Sequence, residues 1–170
     1  MRNAILGVAT ALALTGVAAC NRGEAPASSN GSASNDSAPS GTADIIRERQ
    51  ANYKEMGKAS KAIADELKAA TPSLPTIREN AERLANYAPR ILTWFPAGSG
   101  PEAGVRTRAK AEIWSDQEGF GRAAADFIAA TEEFNAVVRT GDVAAINAAR
   151  PELGKACSNC HDRFRAPERE

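Results

Sequence analysis

The segment that most constrains this chain is KACSNCHDRF, residues 155–164. It places Cys157 and Cys160 three positions apart and follows them at once with His161, the single histidine among 170 residues. On an α-helix, positions i, i+3 and i+4 lie on one face. The motif therefore predicts a helix that presents two thiols and an imidazole to the same side, where one flat ligand can meet all three.

Four kinds of site use cysteine and histidine at this spacing. A structural zinc site needs four protein ligands, whereas the motif supplies three and the remaining cysteine, Cys20, belongs to an N-terminal signal. A redox dithiol usually accompanies a βαβ pattern, and the sequence shows no strand-like alternation. A disulfide within one helical turn closes too small a loop to stabilise the fold much. The spacing C-x-x-C-H is that of covalent haem attachment, which we prefer over the other three.

The first twenty residues have the layout of a secretory signal, with one positive charge and an apolar run over residues 4–14. That run is shorter than the about 20 apolar residues that span a bilayer. Its ending, VAAC, resembles the lipobox of bacterial lipoproteins, with Val17 where leucine is usual. We expect residues 1–19 to be a lipoprotein signal peptide and Cys20 to be acylated. An ordinary cleaved signal with an incidental cysteine is the alternative.

Residues 21–41 contain no Val, Ile, Leu, Met or aromatic residue. Such a segment cannot bury enough apolar surface to fold, so we predict a disordered linker. A flexible coil of this length reaches roughly 25 Å. It would tether a domain to the periplasmic side of a bacterial membrane, and Asn21, which is not an inner-membrane-retention aspartate, favours the outer membrane.

From residue 42 onward, apolar residues recur at three- and four-residue steps, which is typical of helices. The first helix is predicted to start at a cap, Thr42 or Asp44, and to end at TPSLP, residues 71–75. A second helix starts near Thr76. The inward-facing residues are predicted to be Ile46, Gln50, Tyr53, Met56, Ile63 and Leu67 on the first helix, and Ile77, Ala81, Leu84, Ala88 and Ile91 on the second.

A segment rich in Gly and Pro, residues 93–114, separates these helices from two more. The sequence SDQE, residues 115–118, predicts a capping box for the third helix, which ends at Gly141. Asp142 caps the fourth helix, which Pro151 should kink or split. The third helix is predicted to bury Phe120, Ala124, Phe127, Ile128, Thr131 and Phe134. We therefore predict an all-α fold, an antiparallel four-helix bundle over residues 42–170 that ends in the haem-attachment helix.

Residues 42–170 resemble the cytochrome c′ family, the class II c-type cytochromes, whose haem motif lies near the C-terminus of a four-helix bundle. The resemblance rests on RQANYKEMG (49–57), IWSDQEGF (113–120) and, most specifically, CSNCHDRFR (157–165). It implies one covalent haem c per chain, attached through Cys157 and Cys160, with His161 as an axial ligand of the iron. It also implies electron transfer and the binding of small gases such as NO or CO.

The resemblance further indicates which residue faces the other axial position of the iron. Low-spin relatives carry a ligating methionine four residues after the arginine of an RQ pair, whereas cytochromes c′ carry a bulky non-ligand there. Counting from Arg49, this position holds Tyr53. We therefore expect five-coordinate, high-spin iron that is open to NO and CO. The alternative is a six-coordinate, low-spin electron carrier ligated by Met56, one turn farther along.

Contacts around the haem follow in the same way. Arg49 and Gln50 match family positions at the haem edge. Lys110, or Arg108 in its place, is a candidate partner for the haem propionates, with a solvated charge as the alternative. Arg165, one turn beyond the histidine, is placed beside the proximal imidazole, and favourable charge at a helix C-terminus is its alternative role.

Other expectations concern function class and partners. The balance of 21 basic and 21 acidic residues gives no support for nucleic-acid binding. The absence of a second histidine as acid or base argues against an enzyme. A redox partner protein is implied but not identified, and the family resemblance allows a homodimer through the first two helices. A helical scaffold lipoprotein without haem remains the alternative from another functional class.

Overall fold

The computed structural model describes residues 40–168. The predicted signal peptide, Cys20 and residues 21–39 of the predicted linker lie outside these residues. Residues 40 and 41 already belong to the first helix, so the helical domain begins two residues earlier than predicted.

Five α-helices follow one another along the described chain: α1 (Ser40–Glu66), α2 (Leu74–Tyr87), the short α3 (Glu112–Ser115), α4 (Gln117–Thr140) and α5 (Val143–Phe164). Two 3₁₀ segments, Ala88–Trp94 and Pro101–Ala103, lie between α2 and α3. The four long helices form the bundle, in which α1 packs on α2 and α4 packs on both α2 and α5. Between residues 40 and 168 there is no strand, only an isolated antiparallel bridge. The predicted all-α bundle is confirmed.

The inward face of α1 differs from the prediction at three positions. Tyr53 and Leu67 are half-buried, and Leu67 lies just beyond the helix. Gln50 is exposed, and Arg49 is buried in its place. Arg49 can be buried because its guanidinium meets backbone carbonyls, hydroxyls and aromatic rings inside the domain. The other buried residues of this face are Ile46, Met56, Ala59 and Ile63.

Both ends of α1 also differ from the prediction. Thr42 and Asp44 lie inside the helix, so neither caps its start. The helix ends at Glu66, before the proline-containing segment, because the next N–H groups, those of residues 68 and 69, bond to carbonyls only three residues back. These shorter bonds tighten the chain into a turn.

The start of α2 is set by Ser73, whose hydroxyl accepts a hydrogen bond from the Thr76 N–H at 3.4 Å. This helix therefore begins two residues earlier than predicted. It ends at Tyr87, just before the residue that precedes Pro89. Its buried face continues through the next 3₁₀ segment, so all the predicted inward residues are confirmed: Ile77, Ala81, Leu84, Ala88 and Ile91.

The cap of α4 is Asp116, not the predicted Ser115. Ser115 is the last residue of α3, and its hydroxyl donates to the Ala111 carbonyl. Asp116 has the non-helical backbone of a cap and accepts a hydrogen bond from the Gly119 N–H at 3.0 Å. At the other end, Gly141 has φ 75°, a left-handed conformation that ends the helix as predicted. The predicted buried residues are confirmed except for Ile128, which is half-buried.

Asp142 caps α5 as predicted, because its carboxylate accepts hydrogen bonds from the N–H groups of Ala144 and Ala145 at 2.9 and 3.2 Å. The helix runs from Val143 to Phe164 through Pro151, so the predicted split is wrong. Buried Ile146 and Leu153, on either side of the proline, hold the helix to the bundle. No helix of residues 40–168 has both the length and the apolar character needed to cross a membrane.

Candidate functional site

The last turns of α5 carry Cys157, Cys160 and His161 within one uninterrupted helix, so the three side chains share a face as predicted. Both cysteines are half-buried, pack against the hydrophobic core and have free thiols. His161 is exposed. The two sulfur atoms therefore lie on the inner side of the helix, with the imidazole next to them at the surface.

The environment of the two thiols keeps them protonated. Burial raises the pKa of the Cys157 thiol. Burial also raises the pKa of Cys160, with Cys157 adding to the effect and Arg163 opposing it. A redox dithiol works through a cysteine whose pKa is lowered. Neutral, half-buried thiols do not suit that chemistry and fit permanent attachment of a cofactor better.

His161 is held as a neutral imidazole. Burial of its inner side lowers the pKa of His161, and the guanidinium groups of Arg165 and Arg108 lower it further, while Asp162 opposes them. Neutral imidazole is the form that binds a metal through a ring nitrogen. The predicted place of Arg165 beside the proximal imidazole stays a prediction.

The segment before α3 pairs with the chain that leaves α5 and fixes the end of that helix. The Lys110 N–H donates to the Phe164 carbonyl at 3.0 Å, and the Ala166 N–H donates to the Arg108 carbonyl at 2.8 Å. Two side chains add to this pairing: Arg108 Nε donates to the Ala166 carbonyl at 2.8 Å, and Lys110 Nζ donates to the Asp162 carbonyl at 2.9 Å. A contact of either cation with a haem propionate stays a prediction.

Tyr53 of α1 packs against the same hydrophobic core as Cys157 and Cys160. Its ring centroid is 5.3 Å from that of Trp94 and 6.2 Å from that of Phe95. Burial raises the pKa of Tyr53, with the negative charge of an ionised Cys160 thiol adding to the effect and Arg49 opposing it. Met56, one turn along, is buried at 7% exposure in the same core.

Arg49 is buried at 3% exposure, and its two Nη atoms donate four hydrogen bonds. The acceptors are the Trp94 carbonyl, both oxygens of Ser99 and the Thr107 hydroxyl, at 3.0 to 3.3 Å. Gln50 Nε2 donates to a backbone carbonyl in the same segment, at 2.8 Å. The predicted contact of these two residues with the haem edge stays a prediction.

Three aromatic residues that the sequence did not single out, Trp94, Phe95 and Trp114, line this side of the bundle with the predicted Phe120. Phe95 packs on Trp114 and Phe120, with ring centroids 5.8 and 5.0 Å apart, and Phe120 packs on Phe164 at 5.2 Å. These rings connect the surroundings of Tyr53 to the end of α5. The available signal was the pair of adjacent aromatic residues in TWFP, residues 93–96, inside a segment that otherwise favours turns.

The residues of this site fit a covalently attached haem. Two neutral thiols lie on one helical turn beside a neutral imidazole, and a half-buried phenol packs against the same core as the thiols. Nearby, the buried guanidinium of Arg49 bonds to uncharged acceptors among residues 40–168. Cys157 and Cys160 would hold a haem through thioether bonds, and His161 would supply a nitrogen ligand to its iron.

Comparison with known proteins gives a consistent result. The family model described as Cytochrome C′ matches residues 44–165. The cytochrome c′ of Rubrivivax gelatinosus is 42% identical over 87 residues, a match that spans 51% of this chain and 66% of that relative, slightly less than two thirds of its length.

Solved structures of cytochromes c′ have the same fold. One, described as having an unusual ligand-controlled dimer dissociation, has a TM-score of 0.69 and 27% identity, covering 74% of this chain and 97% of the other. Another is a nitric oxide complex of a single-residue variant of the Alcaligenes xylosoxidans protein. It has a TM-score of 0.64 and 25% identity, covering 74% and 97% of the two chains.

Proposed function

Since this chain belongs to the cytochrome c′ family, whose members carry covalently attached haem c, we propose that it is a periplasmic electron-transfer protein whose five-coordinate iron also binds NO or CO. Cys157 and Cys160 would hold the haem through thioether bonds, and His161 would supply the axial nitrogen. When bound, the haem provides an iron that changes oxidation state and coordinates a small ligand.

The observation that carries this proposal is the packing of Tyr53. It contacts Trp94 and Phe95 in the hydrophobic core against which both cysteines pack, and we infer that its ring covers the open position of the five-coordinate iron. Because burial raises the pKa of Tyr53, its phenol stays protonated at neutral pH and is a poor ligand. A bulky, neutral cover leaves room for a diatomic gas, and a structural neighbour is a nitric oxide complex.

A second candidate is a low-spin electron carrier ligated by Met56. This residue is buried on the same side of α1 as Tyr53, and a thioether ligand would close the iron to gases. In either case the proposed role of the protein is to hold and tune the haem.

The absorption spectrum of the holoprotein, made in a host that attaches c-type haem, distinguishes these candidates. We expect a high-spin spectrum in both redox states and new bands when CO or NO is added to the ferrous protein. A low-spin spectrum that ignores CO contradicts five-coordination. A protein mass without covalently attached haem contradicts the whole proposal and favours the scaffold alternative.

We also propose a lipid anchor at Cys20 and, from the structural neighbour with a ligand-controlled dimer, a homodimer. Cys20→Ser should move the protein from the membrane fraction to the soluble periplasm, and continued membrane association would contradict the anchor. Sedimentation of the holoprotein with and without CO tests the dimer.

A further inference from the structure

We propose that Arg49 is a positioning residue for the gas-binding face: it holds Trp94 and Phe95 against Tyr53 and thereby restricts the site to diatomic ligands. The inference rests on the proposed gas-binding function. The Arg49 guanidinium would act through its hydrogen bonds inside the protein, in addition to its predicted contact with the haem edge.

Arg49 holds residues 94–107 by hydrogen bonds at three points along the segment. Its Nη1 donates to the Trp94 carbonyl at 3.3 Å and to Ser99 Oγ at 3.2 Å, and its Nη2 donates to the Ser99 carbonyl at 3.0 Å and to Thr107 Oγ1 at 3.2 Å. One side chain thus reaches the beginning, middle and end of residues 94–107. The backbone of this segment bonds to itself only locally, at Ser99 and in the 3₁₀ turn Pro101–Ala103. Besides Arg49, the side chains of Gln50 and Trp114 each add one hydrogen bond to it.

The Ser99 oxygens that accept hydrogen bonds from Arg49 are buried. Ser99 is 0% exposed, so water cannot satisfy the oxygens that accept from Arg49. A buried acceptor that loses its donor keeps the full cost of desolvation. Removing the guanidinium therefore favours an open arrangement of this segment, in which the Ser99 oxygens reach water.

Arg49 also connects this segment to Tyr53, the residue proposed to cover the iron. The Arg49 guanidinium lies 4.5 Å from the centroid of the Phe95 ring and 5.8 Å from that of Trp114. Phe95 and Trp94 are the two rings that pack on Tyr53. Because Arg49 holds the carbonyl of one and the ring of the other, it limits how far Tyr53 can move when a ligand enters.

A guanidinium is needed for this task, and an ammonium is not equivalent. The planar fork of arginine directs two nitrogens to separate acceptors, whereas lysine supplies one compact donor group. Arg49→Lys keeps the charge but cannot donate hydrogen bonds to both Ser99 and Thr107. The acceptor side offers an independent change, since Thr107→Val leaves Arg49 in place and removes the hydroxyl that accepts from Arg49 and from the Ala109 N–H. Thr107→Ser keeps the hydroxyl and should restore wild-type behaviour.

The experiment measures association of CO with the ferrous holoprotein, association of imidazole with the ferric holoprotein, and hydrogen exchange of amides 94–107. In Arg49→Lys and Thr107→Val we expect faster exchange and an increase of about tenfold in imidazole association, the size that fits loss of a hydrogen bond to a charged group. CO association should rise less, because CO already fits. Arg47→Lys changes an exposed arginine two residues away; it is the matched control and should change none of the three quantities.

Unchanged exchange in both variants overturns the positioning role. Faster exchange with an unchanged ratio of imidazole to CO association overturns the role in ligand selection. A low-spin wild-type protein that binds no CO contradicts the proposed function and the selection role with it, while hydrogen exchange still decides whether Arg49 holds residues 94–107. Should Arg49→Lys fail to accumulate, Thr107→Val decides alone.

Discussion

The Asp116 carboxylate accepts a hydrogen bond from Arg163 Nη2 at 2.8 Å, and this contact joins the first turn of α4 to the end of the helix that carries the thiols. The same carboxylate accepts the Gly119 N–H through its other oxygen, at 3.0 Å. Arg163 in turn lies 4.9 Å from the Phe164 ring centroid. One acidic side chain therefore acts as a helix cap and as an anchor for the haem-attachment helix.

Asp116→Ala should lower the free energy of unfolding by about 1 to 3 kcal/mol, because it removes a cap and an ion pair at once. Most of this should come from the cap, since both partners of the ion pair are half-exposed and screened by solvent. Urea denaturation of the holoprotein measures the change. Glu118→Ala, which removes an exposed i,i+4 pair with Arg122 in the same helix, is the control and should cost less than about 0.5 kcal/mol. Equal losses in the two variants would contradict the double role of Asp116.

Gly119→Ala tests how closely α4 and α5 approach at this contact. A Cβ at position 119 would lie 2.2 Å from Asp116 Oδ2 and 2.6 Å from Arg163 Nη2, so the ion pair would have to move. Gly121→Ala, two residues along the same helix, meets no atom within 4 Å and should gain roughly 0.5 to 1 kcal/mol of helix stability. We expect Gly119→Ala to be less stable than Gly121→Ala by about 1 to 2 kcal/mol in thermal unfolding. Equal stability of the two variants would show that the contact adapts freely.

The half-buried phenol of Tyr53 should make stability depend on pH in the alkaline range. Burial raises the pKa of Tyr53 above its unfolded value of about 10. A group whose pKa is raised by folding contributes fully below the unfolded pKa, and this contribution is lost as the pH rises through the folded value. The free energy of unfolding should therefore decline above about pH 10 by up to about 1.4 kcal/mol per pH unit from this group. The urea concentration at the unfolding midpoint, measured between pH 8 and 11, should fall less steeply with pH in Tyr53→Phe than in the parent protein. Parallel curves for the two proteins would contradict the prediction.

Met56→Leu separates the two ligation candidates without opening a cavity. Leucine and methionine exchange in cores at a cost of less than about 1.5 kcal/mol, so the variant should fold. If Met56 is a core residue only, the haem spectrum and the CO response of this variant should match those of the parent protein. Conversion of a low-spin parent spectrum to a high-spin one on this substitution would establish Met56 as the sixth ligand.

The sequence predicted best those features that depend on local spacing. Three- and four-residue steps identified the buried faces of α2 and α4, and the pair Gly141 and Asp142 marked the break between α4 and α5, because a left-handed glycine and a capping carboxylate act on their own neighbours. The spacing of Cys157, Cys160 and His161 likewise depends only on a helix being present.

Features that depend on distant partners were beyond the sequence. Arg49 replaces Gln50 on the buried face because its acceptors lie 45 to 58 residues away along the chain. Pro151 does not break α5 because packing on both sides of it outweighs one missing hydrogen bond. The aromatic rings of Trp94 and Phe95 come from a segment without periodicity, so the adjacent aromatics of TWFP did not indicate that they pack on Tyr53.

The two-residue link between α4 and α5 bears on the order in which the protein assembles. Closing so short a loop costs little entropy, whereas the bonds of Arg49 must wait until α1 meets a segment about fifty residues later. We therefore expect the hairpin of α4 and α5, which carries the C-x-x-C-H turn, to form early in folding. The packing of residues 94–107 on α1 should form late. Pulsed hydrogen exchange would show protection of residues 117–164 ahead of residues 94–107. In this order the thiols stay accessible to haem-attachment machinery before the pocket is complete.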